Sequence, residues 1–120
     1  MRCRPAAWAG VYVHIIKDKS FSGELYLPEK AAAGLAAVVI MNSSAGVCDI
    51  RERFYASFFA KSGIAALVVD SFSPRGIVET IRDQSRITDQ DMERDAYAAF
   101  DYLAGDRRFD AARIDRKSVV

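Results

Sequence analysis

Ala37-Val-Val-Ile-Met41 with Asn42-Ser-Ser-Ala-Gly46 behind it, and later Ala65-Ala-Leu-Val-Val69 with Asp70 and Ser71 behind it, decide the fold of this chain. Strands that are apolar at successive positions bury both faces, which places them in the middle of a parallel sheet covered by helices. Between them, Asp49 is positioned to cap a helix whose Ile50, Phe54 and Phe58 recur at four-residue spacing, with Phe59 widening the stripe. Gly63 offers the left-handed residue that ends such a helix. Strand, helix and strand within about 30 residues form a βαβ unit.

Outward from this unit the pattern changes on both sides. Upstream, Val11-Tyr-Val-His-Ile-Ile16 is β-branched and aromatic, and Gly23-Glu-Leu-Tyr-Leu27 alternates apolar with polar before Pro28 stops it. The two form an expected antiparallel hairpin over residues 10–28. Downstream, Thr88-Asp-Gln-Asp91 has the form of a capping box, and Asp89, Asp91 and Glu93 load the first turn with the charge its dipole favours. Ala96, Ala99, Phe100 and Leu103 then make one face, closed by Gly105. The βαβα unit spans 37–114. In 115–120, Asp115, Arg116 and Lys117 put charge on both faces of a strand that this topology would bury, so the segment reads as an atypical tail.

At 120 residues the chain has room for one domain, and 51% hydrophobic with 28% charged residues is ordinary globular composition. Seventeen Lys and Arg against 16 Asp and Glu leave a formal charge of +1, so no global field favours nucleic acid or anionic lipid. The apolar run from Ala31 to Met41 is far shorter than the roughly 20 residues that span a bilayer. The N-terminal stretch lacks the apolar core of a secretory signal, and a cytoplasmic setting is expected. Cys3 and Cys48 are too few for a disulfide framework and lack metal-ligand spacing, so both read as free thiols and no metal or cofactor is expected.

Ligands of open parallel sheets bind beyond the carboxyl ends of the strands. That rule selects Asn42 to Gly46, small and able to aim backbone N–H groups at an anion, and Asp70-Ser-Phe-Ser-Pro-Arg-Gly76, whose guanidinium suits a carboxylate. The same residue types also build ordinary turns. No G-x-G-x-x-G or G-x-x-x-x-G-K follows a strand, which sets nucleotide-binding folds aside.

In order, Val38-Val-Ile-Met-Asn-Ser-Ser-Ala-Gly46, Ala60-Lys-Ser-Gly-Ile-Ala-Ala-Leu-Val-Val-Asp70, Asp70 to Gly76, Asp95-Ala-Tyr-Ala-Ala-Phe-Asp-Tyr-Leu103 and Phe109-Asp-Ala-Ala-Arg-Ile114 resemble the amino-terminal half of an α/β-hydrolase of the dienelactone hydrolase family. The resemblance covers roughly residues 11 to 114. It implies a single partial α/β domain, a three-layer sandwich in which an antiparallel hairpin leads into a mostly parallel sheet with flanking helices. It also implies that Ser44 gives a backbone N–H to an oxyanion hole and that Arg75 contacts a substrate carboxylate. Asn42 and Ser43 stand where relatives often carry His and Gly.

By the same resemblance a Gly-x-Ser/Cys-x-Gly nucleophile turn is expected six or seven residues beyond Ile114, at Val120 or past it. Ser118 lacks the flanking glycines and falls early, so it reads as tail. The acid and the histidine of the triad come later still in family order. His14 is the one histidine, on the opening hairpin, where a packed or edge-strand role is expected. Cys48 has no base near it in sequence and reads as structural. The expected function is therefore an ester or lactone hydrolase scaffold truncated before its nucleophile and inactive alone. The alternative is a non-catalytic homo-oligomeric module that binds a small ester, lactone or carboxylate. A cut at this point leaves a sheet edge uncovered, and a homodimer through that edge or the carboxyl-terminal segment is expected, with no nucleic-acid or membrane partner.

Overall fold

β3 (Leu35–Met41) and β4 (Ala65–Asp70) pair in parallel, Ala37 opposite Ala65 and Met41 opposite Val69, as two doubly apolar strands require. The computed structural model describes residues 11–18, 21–30 and 33–118, with side chains as far as Asp115. Gly10, Cys3 and residues 119–120 lie outside these. β1 (Val11–Lys17) and β2 (Ser22–Pro28) form the expected antiparallel hairpin, and β2 pairs antiparallel with β4. β5 (Phe109–Ser118) lies parallel to β3 on its other side, so the five-stranded sheet runs β1-β2-β4-β3-β5. This is the mixed α/β architecture anticipated above. No described helix is long and apolar enough to cross a membrane.

The period-two pleat sorts the strand residues into two cores. Ala37, Val39, Met41, Ala65, Leu67 and Val69 face the helix α2 (Asp89–Ala104), where Ala96, Ala99 and Leu103 close over them. Val38, Ile40, Ala66 and Val68 face the helix α1 (Glu52–Lys61), where Ala56 and Ala60 meet them. Each fully buried Leu, Ile or Val contributes roughly 1.5–3 kcal/mol by leaving water.

α1 corrects the sequence reading. It begins at Glu52, with Arg51 at the cap position and no side-chain cap, while Asp49 accepts instead from the Arg53 guanidinium at 2.9 Å. The four-spaced apolar residues face solvent: Ile50 is 80% exposed, Phe54 52% and Phe58 56%. Ala56, Ser57 and Ala60 are the buried residues of the helix, and of its aromatic residues Phe59 packs against the same core. Gly63 does hold the left-handed conformation, at φ +92°.

α2 behaves as read. The Thr88 hydroxyl accepts from the Asp91 N–H at 3.0 Å while the Thr88 N–H donates to the Asp91 carboxylate at 3.3 Å, a complete capping box. Phe100 sits at the rim of its buried face rather than within it.

Residues 115–118, read as an atypical tail, instead continue β5 to Ser118 beside Met41. The charged residues are accommodated because no described strand lies beyond β5, so Asp115 remains exposed. The ladder is irregular at its start: Leu35 pairs with Phe109, but Ala37 pairs with Ile114. Phe109 and Ile114 both pack into the core under α2.

Candidate active site

Both loops selected by the strand-end rule come together at the carboxyl ends of β3 and β4. Asn42 joins them: its side-chain carbonyl accepts from the Ser71 N–H at 2.9 Å, and its amide group donates to the Ser43 carbonyl at 2.9 Å. Asn42 is 5% exposed, so these bonds form in a site from which water is largely excluded. The residue that departs from the family pattern therefore fastens the two loops to each other.

Glu52 fixes the rest of the first loop. Its carboxylate is fully buried at the start of α1 and accepts from the Ser43 N–H at 2.7 Å and the Cys48 N–H at 3.1 Å. A carboxylate here also complements the positive end of the helix. The sequence reading missed Glu52, treating this turn as a cap by Asp49. The signal present was an acidic residue at the first position of a helix that follows a loop rich in unsatisfied N–H groups.

Ser44 follows these anchored residues and is exposed. Its carbonyl accepts from the Thr80 N–H at 2.8 Å, which fixes the peptide plane after it. Among the described residues the Ser44 N–H has no acceptor. A cleft of 170 Å³ opens beside it, lined by Ser44, Phe72, Thr80, Ile87, Asp89 and Met92 among others. Negative charge developing on an acyl oxygen is stabilised by backbone donors held in place in this way, which makes the Ser44 N–H the candidate donor of the cleft.

Arg75 has partners within the chain. Its guanidinium makes a bidentate pair with Asp95 on α2, at 2.6 and 3.2 Å, and also donates to the Ser71 carbonyl at 2.7 Å. Asp95 is fully buried and the Arg75 side chain is 25% exposed. The hydrogen bond to Asp95 holds the guanidinium above its ordinary pKa. Arg75 does not line the cleft beside Ser44. Releasing it to a ligand would leave a buried, uncompensated carboxylate, a change that costs about 3–5 kcal/mol. The arginine closes the loop after β4 against α2. In sequence Asp95 is one acidic residue among several on α2, and its partner is legible only once the fold sets α2 beside that loop.

The remaining candidates do not assemble. His14 is exposed on β1, opposite Leu25. β1 lies three strand positions from β3, roughly 14 Å at the usual strand spacing, so its imidazole is an edge-strand group. Cys48 is a free, half-buried thiol in the turn before α1, and the chain has no second histidine to pair with it. Ser118 ends β5. Among the described residues no group of three or more His, Cys, Asp or Glu is placed to hold a metal ion. Ser71 leaves one further mark on the site, a fully buried hydroxyl without a partner.

No family model and no curated protein sequence matches the chain. Solved structures do. A dienelactone hydrolase-like promiscuous phosphotriesterase from metagenomic libraries superposes with a TM-score of 0.71 at 19% identity, over 92% of this chain and 49% of its own. A putative dienelactone hydrolase from Klebsiella pneumoniae gives 0.76 at 17%, over 90% and 49%. The glucuronoyl esterase from Solibacter usitatus gives 0.62 at 16%, over 93% and 42%. The chain spans about half the length of the first two of these structures. Its fold is α/β-hydrolase-like.

Proposed function

We propose that this chain is the oxyanion-loop half of a dienelactone hydrolase-like ester or lactone hydrolase scaffold, and that these 120 residues do not turn over substrate by themselves. The observation that carries the reading is the Ser44 N–H, left without an acceptor beside a cleft while Asn42, Glu52 and Thr80 hold the peptides around it. In acyl transfer such a donor strengthens its hydrogen bond as the carbonyl oxygen gains charge. The attack itself needs a nucleophile within hydrogen-bond reach of a base. With one histidine, on the far edge strand, no described residue supplies that pair. A cytoplasmic location belongs to the same proposal, in keeping with the free Cys48 thiol.

Hydrolysis of p-nitrophenyl acetate by the purified chain tests this. The expected rate is that of the uncatalysed reaction. Turnover that disappears in Cys48→Ala or Ser118→Ala would overturn the reading by revealing a nucleophile within these residues.

The outer edge favours a second proposal, that two copies associate through β5. No described strand covers β5, and the groove between β5 and α2 is lined by Tyr97, Phe100 and Ile114 together with the acidic Glu93, Asp101 and Asp115. Edge strands beside apolar surface are where chains associate. Light scattering coupled to size exclusion should give twice the chain mass; a well-folded monomer at tens of micromolar rejects it.

A further inference from the structure

The cleft beside Ser44 is shaped by charges that the hydrolase reading leaves unused. Three observations bear on what it can hold. Arg75, the cation expected to meet a substrate carboxylate, is tied by two hydrogen bonds to the buried Asp95 and by a third to the Ser71 carbonyl. None of the described residues lining the cleft is a cation, and Asp89 stands on its wall. The amino-terminal end of α2, which would otherwise attract an anion, carries Asp89 and Asp91 in its first turn and has its Asp91 N–H capped by Thr88. The half-charge of the helix is answered from within the helix. An incoming carboxylate would meet the like charge of Asp89 and find no cation on the cleft wall for its own.

An uncharged carbonyl compound meets no such penalty. It needs one donor for its oxygen, which the Ser44 N–H provides, and an apolar wall for its carbon chain, which Phe72, Ile87 and Met92 provide. The 170 Å³ space corresponds to about five or six water molecules at liquid volume, enough for a short acyl group or a small ring.

We infer that the cleft selects uncharged short-chain esters and lactones and rejects carboxylate-bearing ones, because Asp95 rather than the ligand holds Arg75. This specificity rests on the reading of Ser44 as an oxyanion donor. Binding is measurable without turnover. The 15N-labelled chain, titrated with γ-butyrolactone and separately with sodium succinate at matched ionic strength, reports the Ser44 and Thr80 amides and the Arg75 side-chain Nε–H. The lactone should shift both amides at millimolar concentration and leave the Arg75 signal in place, with succinate weaker by about tenfold or more. Succinate binding as tightly as the lactone, with the Arg75 signal moving, overturns the specificity and leaves the oxyanion site standing. If neither probe moves Ser44, the oxyanion reading itself fails and the specificity falls with it.

Discussion

Arg75 and Asp95, twenty positions apart in sequence, meet as a bidentate pair at 2.6 and 3.2 Å with the carboxylate wholly buried. The pair locks the loop after β4 to α2, and through the Ser71 carbonyl it also holds the residue whose N–H is bonded to Asn42. Two side chains, Arg75 and Asn42, thus link a helix, the loop after β4 and the loop that carries Ser44 by way of Ser71.

Truncating the arginine should therefore be far more damaging than its partial exposure suggests. Arg75→Ala leaves Asp95 buried and unpaired, and should lower the unfolding free energy by about 3 kcal/mol, at the low end for such pairs because the guanidinium is partly wet. Urea denaturation measures this. A loss under about 1 kcal/mol would mean that the pair contributes no more than a surface contact.

Glu52→Gln keeps the size of the side chain but removes the charge and one of the two acceptor oxygens. Either the Ser43 or the Cys48 N–H then loses its partner, at about 1–3 kcal/mol. Hydrogen exchange should speed up at one of these two amides specifically. Unchanged protection at both would show that the loop holds its shape without the carboxylate.

Removing the orphaned hydroxyl should help. Ser71→Ala deletes a buried group that has no partner and should stabilise the fold by about 1 kcal/mol, read as a rise in thermal midpoint. A fall instead would show that the hydroxyl is satisfied in solution.

The two faces of α1 should respond in the opposite sense to that suggested by its sequence. Phe58→Ser on the exposed face should change stability by no more than about 0.5 kcal/mol. Ala60→Leu, beneath the helix at 1% exposure, should cost about 1–3 kcal/mol by overpacking. Comparable losses from both would show that the edge contact of Phe58 with Phe59 carries more than its exposure suggests.

Acid should destabilise the fold through named carboxylates. The Thr88 N–H lowers the Asp91 pKa and the Arg108 guanidinium lowers that of Asp106, so each is below its ordinary value when folded. The unfolded chain takes up these protons first, near pH 3.9. Their stabilisation is thus fully present above that pH and is lost as pH falls through the lower folded values. Asp106→Asn should flatten the decline of stability between about pH 5 and 2; an unchanged slope would contradict the assignment.

The sheet and α2 were legible because their signals are strong and local: continuous apolar runs for β3 and β4, and Thr88 three residues before Asp91. α1 misled because its buried face carries Ala56, Ser57 and Ala60, which give no apolar periodicity to read, while Ile50, Phe54 and Phe58 at four-residue spacing are exposed. The strand at 115–118 was hidden by charges that an outer position tolerates. In the site, Ser44 was placed from strand-end position and the family pattern. Glu52 and the Arg75–Asp95 pair were not legible, since a charged residue's partner is a tertiary fact. Arg75 offered a guanidinium to the right loop, but nothing local announced that a buried carboxylate already claimed it.

The uneven pairing of β5 against β3 has a consequence for the length of that segment. From Phe109 to Ile114 the chain advances five positions while β3 advances two, from Leu35 to Ala37. The surplus of three is odd, so it inverts the in-and-out phase of the strand, and Phe109 and Ile114 reach the same core from positions of opposite parity. Spacing in 110–113, more than residue identity there, keeps Arg113 and Asp115 out of the oily interior. A deletion of one residue forces a choice between straining the bulge and sliding the strand by a step, which would bring Asp115 to the place of Ile114.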